Sequence, residues 1–370
     1  MTDRGADVIV IGGGLHGLSA ALHLLLRGVR VLVLEKDYSG RHASGVNAGG
    51  VRRMMRDLAE VPLSVEAMKL WHEIEELVDD DCGFVRCGQV FVAETEAELT
   101  QLHDRTETVR DLGFDHEELI EADELFRVVP AIARHCRGAI YCRDDGAAQP
   151  FQTANAFRRK VEALGGRVKS GCEVTDICRS GDIWKVTTKS AKFEAPVIVN
   201  AAGAWGGRIS AMLGEPVPLD PHAPMLMITE PVTPFLTPVL GAAGRTLSFK
   251  QFANGTLLIG GGYMGYADAE RNRADTRLAG MAASAHTVQA LFPQLRDVRI
   301  IRAWAGLEGT FPDMIPVLGG SENHETVFHS FGYSYHGFQL SPITGRIIAD
   351  LITEGKTNLP IEPFRVRRFG

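Results

Sequence analysis

The apolar positions of this chain change period within the first thirty-five residues. Asp7-Val-Ile-Val-Ile11 is a continuous apolar run of strand length, Gly12-Gly13-Gly14 interrupts it, and residues 18–26 then space their apolar side chains as a helix does. A second strand-like run, Arg30-Val-Leu-Val-Leu34, ends on an acid, Glu35. Strands this uniformly apolar are those buried on both faces of a parallel sheet. Downstream, the pattern predicts a helix over 62–78, a strand pair in 84–93 and a charged helix over 94–112. An amphipathic helix over 152–164 carries Ala156, Phe157, Val161 and Leu164 on one face and stops at Gly165-Gly166. Strands follow at 167–168, 173–177, 183–188 and 196–200, the last running into Ala201-Ala202-Gly203-Ala204-Trp205. Residues 215–305 read as mostly β, and the chain closes with a strand over 326–331 and a helix over 342–351. Ser341 and Pro342 have the residue types of that helix's N-cap and first position.

This order begins with a Rossmann-like βαβ unit, leaves it, and returns to it near residue 200 and again near the end. The prediction is an α/β protein in two domains, the nucleotide-binding one discontinuous (1–82, 142–214 and 320–370). An α+β second domain with a mainly antiparallel sheet takes 83–141 and 215–319, and 370 residues suffice for both cores. A net charge of −7 argues against nucleic acid as a partner. No run of about 18 apolar residues is present, so no transmembrane segment is expected. The first strand begins so early that no room is left for a signal peptide. The six cysteines show no CxxC and no metal-ligand spacing, which reads as reduced thiols in a cytoplasmic protein with no metal.

The first turn carries recognisable chemistry. Gly12-x-Gly14-x-x-Gly17, with Leu15 and His16 inside it, lies between a strand and a helix, and Glu35-Lys36 follows about twenty residues later. Gly12 allows the tight turn, Gly14 lets backbone N–H groups approach a pyrophosphate, and Gly17 lets the helix lie against the strand. The helix N-terminus adds partial positive charge, and Glu35 can accept from ribose hydroxyls. These parts predict a bound ADP moiety. A second glycine-rich loop, Ser39-Gly-Arg-His42-Ala43-Ser44-Gly-Val-Asn47-Ala48-Gly49-Gly50-Val51-Arg52-Arg53, leaves the second strand on the ligand edge of the sheet and suits an extended dinucleotide.

Together with Trp304-Ala-Gly-Leu-Glu308-Gly-Thr-Phe-Pro-Asp313-Met-Ile-Pro316 and Phe331-Gly-Tyr333-Ser-Tyr335-His336-Gly337-Phe338-Gln339, these motifs resemble the D-amino acid oxidase family of FAD enzymes. The family includes glycine oxidase and the sarcosine oxidases, and the resemblance runs from about Asp7 to Phe369. The ending Pro363-Phe-Arg-Val-Arg-Arg-Phe369 looks most like the β-type subunits of heteromeric opine, D-hydroxyproline and sarcosine dehydrogenases. The resemblance implies a glutathione-reductase-like FAD fold and non-covalent FAD. Gly12, Gly14 and Gly17 would lie at the pyrophosphate, Glu35 at the ribose and the Val174 backbone at the adenine. His42 to Val51 would run along the pyrophosphate and ring, with Ala202, Gly203 and Trp205 nearby, and His336 to Leu340 would close over the pyrimidine edge. It further implies hydride transfer from a C–H beside an amine nitrogen to the flavin, in an amino-acid-like substrate. Other subunits or an electron-acceptor protein would be partners, through which the chain could associate peripherally with the inner membrane.

The departures from the family fall at the substrate end. Arg52 matches an arginine that binds substrate carboxylate in monomeric sarcosine oxidase, but the accompanying lysine is Gln339. One carboxylate-binding arginine of glycine oxidase is Glu308 here, and the other aligns with Tyr335. Glu308 would suit a substrate ammonium or guanidinium, or would simply pair with Arg302 or Arg53. Tyr333, Tyr335 and Lys250 are further candidates for the pocket wall. The sarcosine oxidase lysine credited with oxygen activation aligns with Leu258, which favours a dehydrogenase over a stand-alone amino-acid oxidase releasing peroxide. A non-catalytic FAD-binding subunit and an NAD-dependent dehydrogenase that shares only the Rossmann unit are the remaining alternatives, and the Ser39–Arg53 loop and the Gly203 strand count against the latter.

Overall fold

The computed structural model describes residues 2–3 and 5–370 and holds two large sheets. The first runs in the order Val317–Gly320, Val327–Phe331, Val197–Asn200, Val8–Ile11, Val31–Leu34, Arg167–Lys169, parallel throughout except for the first pair. Its apolar strands are buried on both sides, and alternate residues serve different layers. Val8, Val10, Val31 and Val33 pack with the helices Leu15–Leu25, Pro150–Ala163 and Gly337–Glu354. Ile9, Ile11, Leu32 and Leu34 pack beneath the antiparallel strands Val174–Ser180, Ile183–Thr188 and Lys192–Ala195.

The second sheet has eight strands, in the order Ile300–Ala305, Met225–Thr229, Leu257–Gly260, Ser248–Gln251, Val239–Ala242, Gln89–Ala93, Gly138–Cys142, Glu118–Glu121. Only the pair Val239–Ala242 with Gln89–Ala93 is parallel. A short pair, Gly50–Val51 with Gly146–Ala147, braces the second glycine loop.

Four local expectations need correction. Residues 84–88 form no strand; Val85 makes only an isolated bridge to Ala147. The helix expected over 62–78 is two, Val61–His72 and Ile74–Val78, separated at Glu73. The mostly β stretch contains the helix Leu278–Leu291, whose small and apolar residues encircle it rather than marking one face. The last helix starts at Gly337, not at Pro342, so Pro342 lies inside it. Proline cannot donate to the Phe338 carbonyl four residues back, and the Ser341 hydroxyl does so instead, at 2.8 Å. Among the described residues no helix is long and apolar enough to cross a membrane, and all six cysteines are unpaired.

Candidate functional site

A cavity of about 760 Å³ opens at the carboxyl ends of the parallel strands, where Ile11, Leu34, Ala201 and Phe331 line it. Its far wall comes from the eight-stranded sheet, at Phe91, Gly241 and Ser248. At one end stand Glu35, Lys36, Val174 and Arg208, and at the other Arg52, Glu308 and Tyr335. Between them lie Gly12, Gly14, Leu15, His16, His42, Ala43, Ser44, Asn47, Ala48, Gly49, Gly50, Ala202, Gly203, Trp205, Tyr333, His336, Gly337 and Phe338. Two distant glycine-rich segments and the closing loop thus share one elongated space.

The turn at Gly12–Gly17 is built by close approach. Gly12 has φ +110°, and a Cβ there would lie 2.3 Å from the Ala201 carbonyl oxygen. A Cβ on Gly17 would lie 2.0 Å from the Gly12 carbonyl oxygen. Glu35 accepts from the N–H groups of Gly13 at 2.7 Å and Asp37 at 2.8 Å. Burial pushes its carboxyl above the ordinary range, partly offset by those two donors. Ser44 Oγ accepts the Leu15 N–H at 2.9 Å. The Lys36 ammonium sits 3.5 Å from the centre of the Trp205 ring and donates to Asn272, which in turn donates to Asp37. Trp205 Nε1 donates to the Ala269 carbonyl, so the hairpin of Tyr266–Asp268 and Arg273–Asp275 is strapped across this end.

Two helix N-termini open on the cavity with no hydrogen bond from the side chain of their own cap residue, those of Leu15–Leu25, whose first N–H is taken by Ser44, and Gly337–Glu354. Each offers N–H groups and partial positive charge to an anion. They meet where His16 stacks face to face on Tyr333, ring centres 3.5 Å apart. Burial depresses His16 to about 3, so the ring is neutral, and its Nδ1 shares a hydrogen bond with Thr344. An extended dinucleotide with a pyrophosphate and an electron-accepting ring fits these features: close-packed glycines and a helix N-terminus at one point, a carboxylate towards one end, a second helix N-terminus towards the other.

At the substrate end, Arg52 donates through Nη1 to the Met54 carbonyl, and among the described residues no carboxylate lies within salt-bridge reach. Its neighbour Arg53 is committed to Asp145, at 3.0 Å. Arg56 is fully buried and spends its donors on the Arg52 and His336 carbonyls and on Gln339. Glu308 has neither partner suggested above: Arg53 is occupied, and Arg302 lies on the exposed part of an edge strand. Among the described residues its one hydrogen bond is from the Tyr335 N–H, at 2.7 Å, and burial raises it to about 7.

Five expected contacts do not reach the cavity. Gly17 is turned onto the Gly12 carbonyl. Val51 and Leu340 belong to the helix-side core. Gln339 is fully buried, donating to the Ser64 carbonyl and accepting from Arg56. Starting the helix at Gly337 turns these last two residues inward. Lys250 lies behind the wall, with Nζ 3.2 Å from where a Cβ of Gly49 would be, and burial lowers it to about 8. It stands directly across the antiparallel pair from Leu258, so a buried lysine does occupy this neighbourhood, one strand over from the position compared.

Several wall residues lacked a sequence signal. Arg56 had one, standing one helical turn after Arg52. So did Gly260-Gly261-Gly262, where Gly261 and Gly262 hold φ +114° and +117° at a strand end. Gln89, Phe91, Arg208 and Arg245 have none, because ordinary strand and helix residues become wall only when the two sheets meet.

The raised Glu308 carboxyl predicts a pH dependence. The folded state holds its proton more tightly than the unfolded chain, so this contribution to stability is full below 4.5 and is lost as pH rises through about 7. Because the side chain borders a cavity, the loss is set at about 1–3 kcal/mol. Urea titrations of the purified protein at pH 5 and pH 8 should show a smaller decline for Glu308→Gln than for wild type. Parallel declines would contradict the assignment.

The model of the family described as DAO, FAD dependent oxidoreductase, matches residues 7–351. A glycine oxidase of Geobacillus kaustophilus is 28% identical over 378 residues, covering 100% of this chain and 98% of that protein. A sarcosine oxidase subunit beta of Rhizobium meliloti is 27% identical, covering 98% and 88%. Among solved structures, the L-proline dehydrogenase of P. horikoshii superposes with a TM-score of 0.92 at 26% identity, covering 99% of this chain and 98% of that one. The chain therefore belongs to the DAO family of FAD-dependent oxidoreductases.

Proposed function

We propose that this protein oxidises the C–N bond of a carboxylated amine, preferably a secondary one such as an opine, a D-hydroxyproline or an N-alkyl amino acid. The observation that carries the reading is the pairing of charges at the substrate end. Among the described residues Arg52 presents a guanidinium with no salt-bridged carboxylate, and Glu308 a carboxyl with no salt-bridged cation, both lining the same cavity. A substrate bearing both a carboxylate and an amine satisfies both, and a planar guanidinium can hold a carboxylate through two parallel bonds. The names of the relatives, sarcosine oxidase subunit beta and L-proline dehydrogenase, point to secondary amines.

FAD, when bound, supplies the two-electron acceptor. The chain's part is placement and charge. Arg52 orients the carboxylate, Glu308 faces the nitrogen, and the glycine loop and closing helix exclude water from the reacting carbon. Arg245, although on the wall, is held by Glu94 and is not available to the substrate.

Leu258 in place of the oxygen-activating lysine supports a dehydrogenase, working with other subunits as the beta-subunit relative's name suggests. Lys250 supports a second reading, an oxidase, because a buried cation beside the ring-binding loop would stabilise charge developing on oxygen. Peroxide yield in air, measured against reduction of an artificial quinone, separates them. A dehydrogenase transfers its electrons to the quinone and leaves little peroxide; stoichiometric peroxide from the wild type, lost in Lys250→Met, would establish the oxidase.

A further inference from the structure

Behind the substrate wall lies a chain of polar groups that binding alone does not require. Ser334 and Tyr335 both hold left-handed backbone conformations, with φ +48° and +74°, which are costly for residues with a Cβ. The turn is fastened to the strand Glu308–Thr310: Glu308 accepts the Tyr335 N–H, and Ser334 Oγ accepts the Phe311 N–H at 3.1 Å. This strained turn aims the Tyr335 hydroxyl away from the core and onto His222 Nδ1, in a short hydrogen bond. Its other neighbours are the Met264 sulfur at 3.8 Å, a weak acceptor, and the Thr310 hydroxyl. His222 lies opposite Glu308 in the pair Asp220–His222 with Glu308–Thr310, and its Nε2 is 3.1 Å from Asp220. His222 is half-buried and Asp220 exposed, so the chain runs from the cavity wall to solvent.

The chemistry of the partners sets the protons. Ionised Asp220 only accepts, so His222 carries hydrogen on Nε2, leaving Nδ1 bare to accept the phenol. We propose that Tyr335, His222 and Asp220 form a proton relay that carries the substrate's ammonium proton from the cavity to solvent. The inference rests on the amine reading above. An amine enters mostly protonated at neutral pH, but only the neutral nitrogen can donate its lone pair as the neighbouring C–H bond breaks. In the relay step the substrate N–H bond breaks and its proton joins the Tyr335 oxygen, while the Tyr335 O–H proton passes to His222 Nδ1. The imidazolium is held by Asp220 and loses its Nε2 proton to water at its exposed edge, and proton exchange of the ring with solvent then moves the remaining hydrogen from Nδ1 back to Nε2 before the next turnover. No electrons leave the chain, and the phenol remains neutral throughout, consistent with burial and the nearby Glu308 and Asp220 raising Tyr335 well above its ordinary range. Tyr335 is the group at the substrate; His222 and Asp220 act through it.

The test uses the FAD-loaded protein. His222→Gln can still accept the phenol's hydrogen bond but cannot carry a proton, and His222→Ala leaves room for free imidazole. Both should slow anaerobic flavin reduction at saturating substrate by about 10²-fold, with substrate affinity changed less than about threefold, and imidazole should restore the alanine variant. Rates within about twofold of wild type, or a slowing that imidazole does not relieve, would overturn the relay. Nitrogen NMR of the histidine rings reads the same geometry without turnover. His222 should be the Nε2–H tautomer, with its Nδ1 signal moved by Tyr335→Phe. A doubly protonated ring at neutral pH, or a signal indifferent to that substitution, would overturn the relay too. If no carboxylated amine reduces wild-type flavin, the substrate reading fails, and the tautomer measurement still decides the relay.

Discussion

Arg52→Met is expected to lower kcat/KM for a carboxylated amine by about 10²–10³-fold, the roughly 3–4 kcal/mol lost when one partner of a desolvated charge pair is removed. The guanidinium borders the cavity and makes no salt bridge among the described residues, and the proposed function gives it the substrate carboxylate as its direct partner. Arg52→Lys should recover only part of the loss, because an ammonium keeps the charge but not the planar fork. Arg52 also orders the turn at Met54, and a loss of activity alone would not separate anchoring from structure. The ratio of kcat/KM for a carboxylated amine to that for its decarboxylated analogue does separate them. The ratio should collapse in Arg52→Met while flavin content stays at the wild-type level. An unchanged ratio would show that the carboxylate is held elsewhere.

Gly17→Ala carries the second large effect, on the cofactor rather than the substrate. The added methyl would lie 2.0 Å from the Gly12 carbonyl oxygen, a backbone atom held in the turn, so the helix must lift from the strand. Overpacking of this kind costs about 3 kcal/mol or more, and in the FAD placement we propose the displaced helix end holds the pyrophosphate, so FAD retention should fall about 100-fold. Gly28→Ala, at the end of the same helix, is the control. Unlike Gly17, it has positive φ, +77°, but nothing lies within 4 Å of its Cβ. It should cost about 1 kcal/mol of backbone strain and keep its flavin. The ratio of flavin to protein absorbance in the purified variants reads both outcomes. Equal FAD in Gly17→Ala and wild type would remove the turn from the cofactor site.

The two-layer arrangement around the parallel sheet was legible because Val8–Ile11 and Val31–Leu34 are apolar at every position, as double-sided burial demands. The glycine turn at the head of the cavity was legible for a related reason: strand, glycines, helix and acid act through the backbone at fixed spacing, and spacing survives in a sequence. Helix boundaries were less so. Ser341-Pro342 has the residue types of a helix start, yet the Ser341 hydroxyl substitutes for the donor that Pro342 lacks, and the helix runs through. That displacement turned Gln339 and Leu340 from flavin contacts into core.

The substrate end was legible only as a set of candidates. Whether Arg52, Glu308 and Lys250 are free, paired or buried depends on side chains tens to hundreds of residues away. Asp145 takes Arg53, Glu94 takes Arg245, and the Gly49 backbone stands between Lys250 and the cavity. His222 attracted no attention because it sits in an unremarkable Asp-Pro-His segment; the strained turn at Ser334-Tyr335 is what brings a phenol to it.

The central claim is that bound FAD accepts electrons from a carboxylated amine held between Arg52 and Glu308. Anaerobic mixing of the FAD-loaded protein with a panel of opines, N-alkyl amino acids, cyclic imino acids and their decarboxylated counterparts tests it most directly, followed at the flavin's visible band near ~450 nm. The account predicts rapid bleaching by at least one carboxylated secondary amine and far slower bleaching by its decarboxylated form. Flavin that every member of the panel leaves oxidised, or that both forms bleach equally fast, would contradict it.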